Sequence, residues 1–211
     1  MWGGTGLGRY VVGITGASGA AYGRRLVGVL SRAGHRVELL ITAAGFTVLA
    51  QELDWDSSVY AGEGGLAARC ARFFRPSGAP GEVRLHAIHD VLDELGSGSQ
   101  TTDGTVVVPC TMGRVSAFAV GRSQDLLDRA VDVTLKEGRP LIVVPRETPL
   151  SLIHLRNLTT LAEAGAVVLP AMPGFYHRPA GVDDLVDFVV ARILSRMGLS
   201  QDLVAPWQRP D

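Results

Sequence analysis

The sequence predicts a three-layer, doubly wound α/β fold around a mostly parallel sheet. Three observations carry this. Apolar runs of strand length recur along the chain, segments with helical apolar spacing separate them, and a glycine-rich turn follows the first run directly.

In chain order, Tyr10 to Ile14 is a short apolar run ending at a glycine loop. Ser18 to Ala33 then carries leucines and valines at helical spacing, with Gly34 as the stop. The alternation continues with a strand at Arg36 to Thr42, a helix at Ala43 to Glu52, a strand at Thr105 to Pro109 and a helix at Leu126 to Glu137. A strand at Leu141 to Pro145, a helix at Ser151 to Ala164 capped by Gly165, a strand at Val167 to Leu169 and an amphipathic helix at Val182 to Met197 complete it. Right-handed crossovers place such helices on both faces of the sheet, giving a Rossmann-like or flavodoxin-like arrangement.

Two stretches read less clearly. Between Asp54 and Arg84 the periodicity fades into Gly, Ala, Arg and Ser, and we expect one weak helix within variable loops. Gly96 to Gly104, GSGSQTTDG, has linker composition but precedes a buried strand, so it reads as a site loop.

The 211 residues suit a single domain: a tail at 1–8, one domain at 9–207 and a tail at 208–211. The charge balance, 20 basic against 21 acidic side chains, gives no reason to expect nucleic acid or an anionic membrane as partner. Two cysteines, Cys70 and Cys110, are too few for a disulfide framework and lack zinc-site spacing, so a reducing cytoplasm is expected and no metal. Met1 to Gly8 lacks the basic and apolar regions of a signal peptide, and no apolar run is long enough to span a bilayer.

Gly13, Gly16 and Gly19 give the spacing G-x-x-G-x-x-G, which is neither the dinucleotide fingerprint nor the Walker pattern. Ala20 stands where a nucleophile elbow needs its second glycine, so a serine hydrolase is disfavoured. What remains is a turn feeding a helix N-terminus, suited to a phosphate or polarised ring atoms. The same residues also suit a tight turn with Ser18 as N-cap, and the two roles are compatible. Thr15 to Ser18, Thr42, Cys110 to Arg114, and Arg146 to Glu147 all follow strands, and open parallel sheets bind ligands at those strand ends. They are expected to line one crevice.

ITGASGAAYGRRL from Ile14, AVDVTLKEGRPLIVVPRETPL from Ala130, LPAMPGFYHRP from Leu169 and VDDLVDFVVARIL from Val182 together resemble the flavin prenyltransferase family, the UbiX-like enzymes. The resemblance runs from Arg9 to Trp207. It implies transfer of a dimethylallyl group from dimethylallyl monophosphate to N5 and C6 of reduced FMN, without metal, giving prenylated FMN for a UbiD-like decarboxylase.

Residue by residue, the resemblance assigns FMN to Gly16, Ala17, Ser18, Thr42, Thr111, Met112, Gly113, Arg114 and Arg146. It gives Ser18 and Glu52 a proton relay, Glu147 a place beside the reacting centre, and Trp207 a π face toward an allylic cation. Lys136, Arg146, Tyr176 and Arg192 match the grip on the donor phosphate, which needs cationic and hydroxyl partners in any case. It also implies a homododecamer whose sites are completed by neighbouring subunits. Val91, Arg114 and Gly138 depart from the family pattern, with Arg114 adding a cation near the flavin phosphate. Two rival readings are a related FMN-dependent cysteine decarboxylase, for which His86 and His89 offer a histidine, and a non-catalytic FMN-binding subunit.

Overall fold

A computed structural model describes residues 6–56 and 65–205. Six strands form one sheet: β1 (Arg9–Ile14), β2 (Arg36–Ile41), β3 (Val83–Leu85), β4 (Gly104–Cys110), β5 (Leu141–Pro145) and β6 (Val167–Val168). Their order is β3-β2-β1-β4-β5-β6 and every pairing is parallel, as expected for a doubly wound sheet.

The helices are α1 (Ala20–Arg32), α2 (Ala43–Leu53), α3 (Gly65–Phe74), α4 (Met112–Ala119), α5 (Leu126–Lys136), α6 (Leu152–Glu163) and α7 (Val182–Arg196). Alternate strand residues feed two cores. Val12, Ile14, Leu39, Ile41 and Val106 pack with α1, α2, α3 and α7, while Val11, Leu40, Val107 and Val143 pack with α4, α5 and α6. Cys70 and Cys110 lie in different cores, both buried, and burial pushes both thiols well above their usual range.

The sequence reading misses three elements. β3 has only three residues, α4 has eight, and a single 3₁₀ turn spans Glu94–Gly96. Each is too short for periodicity to register. α1 also begins at Ala20, with Gly19 (φ 108°) as its N-cap, so Ser18 is not the cap. The expected weak helix is α3. Gly138, one of the departures, ends the α5 turn at φ 63°, a left-handed conformation glycine adopts without strain.

The loop from Gly96 to Gly104 does not line the ligand edge of its own chain. It enters β4, and therefore sits at the amino edge of the sheet, where Arg139 donates to the carbonyls of Gly98 and Gln100 (both 2.7 Å). The Asp103 carboxylate accepts from Arg9 N (2.7 Å).

Beneath the β3–β4 connection lies a buried ion network. The Glu38 side chain, 0% exposed, meets Arg9 and Arg36 at Oε1 and His86 Nε2 at Oε2, while His86 Nδ1 meets Asp93. Burial alone would raise the Glu38 pKa, but hydrogen bonds from His86 and Arg9 and their charges hold it at about 2. Burial lowers and its two carboxylate partners raise the His86 pKa, with a net rise above 6.5. The Glu38 contribution is thus present above pH ~4.5 and lost as pH falls toward 2; that of His86 is present below its ordinary pKa and lost as pH rises through the raised one. Glu38→Gln is expected to cost roughly 2–3 kcal/mol at neutral pH. Denaturant titrations should show this gap closing between pH 5 and 2; a gap independent of pH would contradict the assignment.

Candidate functional site

Because all strands run one way, the residues following β1, β2, β4 and β5 meet at one edge. The sheet reverses winding between β1 and β4, and a crevice opens there. Thr15, Gly16, Thr42, Thr111 and Arg114 line it, joined by Ala43, Ala44, Ile88, His89 and Asp125. The convergence expected of the strand ends is therefore present for Gly16, Thr42, Thr111 and Arg114.

Thr15 fixes the crevice floor. Its hydroxyl donates to the Pro109 carbonyl (2.8 Å) and accepts from Thr111 N (2.9 Å), which ties the β1 loop to the end of β4. Thr42 and Thr111 are the N-caps of α2 and α4, accepting from Gly45 N (3.0 Å) and Arg114 N (3.3 Å). Three helices, α1, α2 and α4, thus direct their N-termini at this edge, a favourable field for an anion or electron-rich ring atoms. Gly16 packs so closely on α2 that a Cβ there would lie 2.5 Å from Ala44 Cβ.

α1 has no side-chain cap of its own; Glu52, at the end of α2, supplies one from another element. Its carboxylate accepts from Gly19 N (2.9 Å) and Ala20 N (2.9 Å), directly beside exposed Ser18. Glu52 is therefore held at the two residues that follow Ser18 and is not merely a solvated helix carboxylate. Buried by neighbours, the Tyr22 phenol has its pKa raised, with Arg146 opposing and Glu52 reinforcing the rise. Arg146 N also donates to the Cys110 carbonyl (3.3 Å).

Arg114 needs correction. It lines the crevice, but its guanidinium is held by Asp125 and by Asp128, whose other oxygen takes Arg122 (2.9 Å). The extra cation is compensated where it stands, so Arg114 buttresses the wall and adds no free charge for a phosphate. The Met112 side chain is 5% exposed within the core, leaving only its backbone for a ligand, whereas Gly113 is exposed. Glu147 is exposed, with Oε1 accepting from Thr148 N (3.0 Å).

The four phosphate-grip residues are not together in one chain. Tyr176 and Arg192 share a cavity of about 140 Å³ with Phe188, Ser195, Gln201 and Val204, and none of these lines the crevice. Lys136 closes α5 at the amino edge, where a side chain at Gly98 would meet Lys136 Nζ at 3.3 Å. Trp207 lies outside the described residues.

His86 uses both ring nitrogens in the buried network and does not reach the crevice, whereas His89 does. Tyr22, Asp125 and a site-lining His89 escape the family-based reading. Asp125 was findable as a cap residue before the apolar run at Leu126, and its side chain accepts from Asp128 N. His89 was singled out only for the decarboxylase reading, and Tyr22 lacked a local signal. Among the described residues no cluster could hold a metal, and no helix is long and apolar enough to cross a membrane.

The crevice measures about 290 Å³, at the low end of the ~300–1,000 Å³ typical of ligand pockets, so one subunit encloses only part of a flavin-sized ligand. A larger cavity, about 680 Å³, lies elsewhere between α1, α3 and α7 and contains none of the crevice residues.

Comparison with known proteins gives a consistent picture. The Flavoprotein family model matches residues 6–194. The UbiX flavin prenyltransferase of Halalkalibacterium halodurans is 44% identical over 202 residues, covering 95% of this chain and 93% of that one. The Pseudomonas aeruginosa UbiX flavin prenyltransferase is 44% identical over 201 residues, with 94% and 93% covered. Among solved structures, AnUbiX in complex with FMN and dimethylallyl pyrophosphate superposes with a TM-score of 0.86 at 32% identity, covering 98% and 100% of the two chains. A dodecameric FMN-dependent UbiX-like decarboxylase from Escherichia coli gives 0.83 at 35%, covering 95% and 100%.

Proposed function

Because the chain belongs to the UbiX flavin prenyltransferase family, we propose that it joins a dimethylallyl group from dimethylallyl monophosphate to N5 and C6 of reduced FMN. The observation that carries this reading is the Glu52 carboxylate, fastened to the N–H groups of Gly19 and Ala20 beside exposed Ser18, in the same glycine loop whose Gly16 lines the crevice. A binding-only flavoprotein needs the crevice but not a proton acceptor built onto it.

The residues fit the flavin. Gly16, Thr42 and Thr111 line the crevice, Ala17, Met112 and Gly113 follow them directly in the chain with backbone N–H groups to offer, and Arg114 with Asp125 forms its stiff wall. Reduced FMN, as acceptor substrate, supplies the nucleophilic nitrogen. Ser18 and Glu52 take up the proton released there. Lys136, Arg146, Tyr176 and Arg192 balance charge on the departing phosphate, and Trp207 is the aromatic partner that the family resemblance assigns to the allylic cation. Glu147, or the phosphate itself, handles the proton of ring closure.

Since Lys136 and the Tyr176–Arg192 pair stand away from the crevice of their own chain, neighbouring copies supply them, in a homododecamer whose completed sites lie between subunits. The dodecameric assembly of the Escherichia coli neighbour supports this arrangement. The enzyme works in the cytoplasm as one domain spanning residues 9–207, and its product passes to a UbiD-like decarboxylase.

The Escherichia coli neighbour, described as an FMN-dependent UbiX-like decarboxylase, keeps a decarboxylase reading in view. The cypemycin decarboxylase CypD and the FMN-dependent cysteine decarboxylase TvaF are only 19% and 17% identical to this chain and share the fold alone. Phosphate release from dimethylallyl monophosphate, measured anaerobically, is expected to require reduced FMN, while a peptide ending in cysteine yields no carbon dioxide. Carbon dioxide release without phosphate release would overturn the proposal. Tyr176→Phe is expected to raise KM for the donor about 10-fold and leave flavin affinity unchanged, as loss of one hydrogen bond to a charged group implies. A change confined to flavin affinity would contradict its placement.

A further inference from the structure

A second cavity among the described residues plays no part in the proposed reaction. It is a groove of about 680 Å³ between α1, α3 and α7, and five arginines line it against two aspartates, although the whole chain carries a net charge of −1. The concentration of positive charge is local.

Arg24 and Arg32 stand eight residues apart on one side of α1, and Arg72 and Arg75 face them from the end of α3 and just beyond. Arg24 lies over the Phe73 ring at 4.3 Å, and Arg25 holds Asp187 through Nε (2.6 Å) and a second nitrogen (2.9 Å). Among the described residues no carboxylate pairs with Arg24, Arg32 or Arg72, and Arg75 is engaged by the Ala79 carbonyl, which leaves its charge uncompensated.

We propose that this groove binds an acidic polypeptide segment of the protein that receives the product. The inference rests on the functional reading above, which requires the flavin to be handed on. Spacing favours a polypeptide over a small phosphate: Arg24 and Arg32 are roughly 12 Å apart at 1.5 Å rise per residue, whereas one phosphate needs donors converging on a point. Acidic side chains on an extended segment recur at about 6.6 Å on each face and meet both rows. A nucleic acid strand fits less well. One face of Phe73 is taken by Arg24, and Trp55 and Phe74 pack on its edges, which leaves no open aromatic face for a base to stack on. Position supports the choice of partner, since Ala21 and Leu53 begin the groove one residue from Ala20 and Glu52 at the flavin loop.

The test uses the full chain loaded with FMN and a dye-labelled peptide of alternating Glu and Gly, followed by fluorescence anisotropy. Binding is expected, weakening as salt rises. The double variant Arg32→Gln, Arg72→Gln should bind at least 10-fold more weakly while prenylating FMN at the wild-type rate, since neither residue belongs to the flavin or donor site. Equal binding by both proteins overturns the proposal, as does stronger competition by pyrophosphate or an oligonucleotide than by unlabelled peptide. A changed native mass in the variant also overturns it, by making the groove a contact between copies of this chain. If the wild type binds the peptide in a variant-sensitive way but makes no prenylated flavin, the functional reading fails and the acid-binding groove stands. Prenylation without peptide binding overturns the groove and leaves the prenyltransferase reading in place.

Discussion

Glu52→Gln is expected to leave FMN affinity within about threefold of wild type while turnover falls on the order of 10²–10⁴-fold, the usual worth of a positioned general base. The separation follows from what glutamine retains. One carbonyl oxygen still accepts from Gly19 N and Ala20 N, so α1 keeps its cap and the glycine loop keeps its shape. The negative charge and the basic oxygen are lost. Flavin affinity from fluorescence quenching, set beside single-turnover rates, measures both quantities. Full activity in the variant would remove the relay, whereas joint loss of binding and activity would reduce Glu52 to a structural cap.

Gly16→Ala should weaken FMN binding at least 10-fold. Its new Cβ would sit 2.5 Å from Ala44 Cβ, and neither atom has a rotamer through which to escape. The β1 loop must then move away from α2, at a cost of about 1–3 kcal/mol typical of overpacking. Ala44→Gly in the same chain removes the opposing atom and is expected to restore most of the affinity. Titration of the single and double variants with FMN decides the matter. Unchanged affinity in the single variant would show that the loop has room the geometry denies, and no recovery in the double variant would place the defect elsewhere.

Both predictions concern residues visible in the sequence, for reasons that differ. Gly16 was legible because a glycine turn between an apolar run and a helical pattern has few other uses. Glu52 carried no local signal; only the family resemblance singled it out, because its contact with Gly19 and Ala20 crosses more than thirty residues. The fold was legible for the same physical reason as Gly16. Strands such as Leu141–Pro145, buried on both faces, must be continuously apolar, and the reading of that strand matches its observed bounds.

What stayed hidden depended on long-range pairing or on chain direction. The Gly96 to Gly104 loop looked like a site because of its composition, yet only sheet direction tells which edge a loop occupies. Arg114 looked like a free cation until the fold brought Asp125 and Asp128 to it. Lys136 matches a phosphate-binding position in sequence, but α5 carries it to the far edge of its own subunit, and no property of a single chain's sequence reveals that.

The central claim, that the flavin is the acceptor of the dimethylallyl group, is tested most directly by the mass of the flavin itself. The purified protein is incubated anaerobically with reduced FMN and dimethylallyl monophosphate, and the flavin released on denaturation is weighed by mass spectrometry. A mass raised by one dimethylallyl unit, with the absorbance of a modified ring, is the expected result; FMN recovered at its original mass, while the donor is consumed or left intact, would contradict the account.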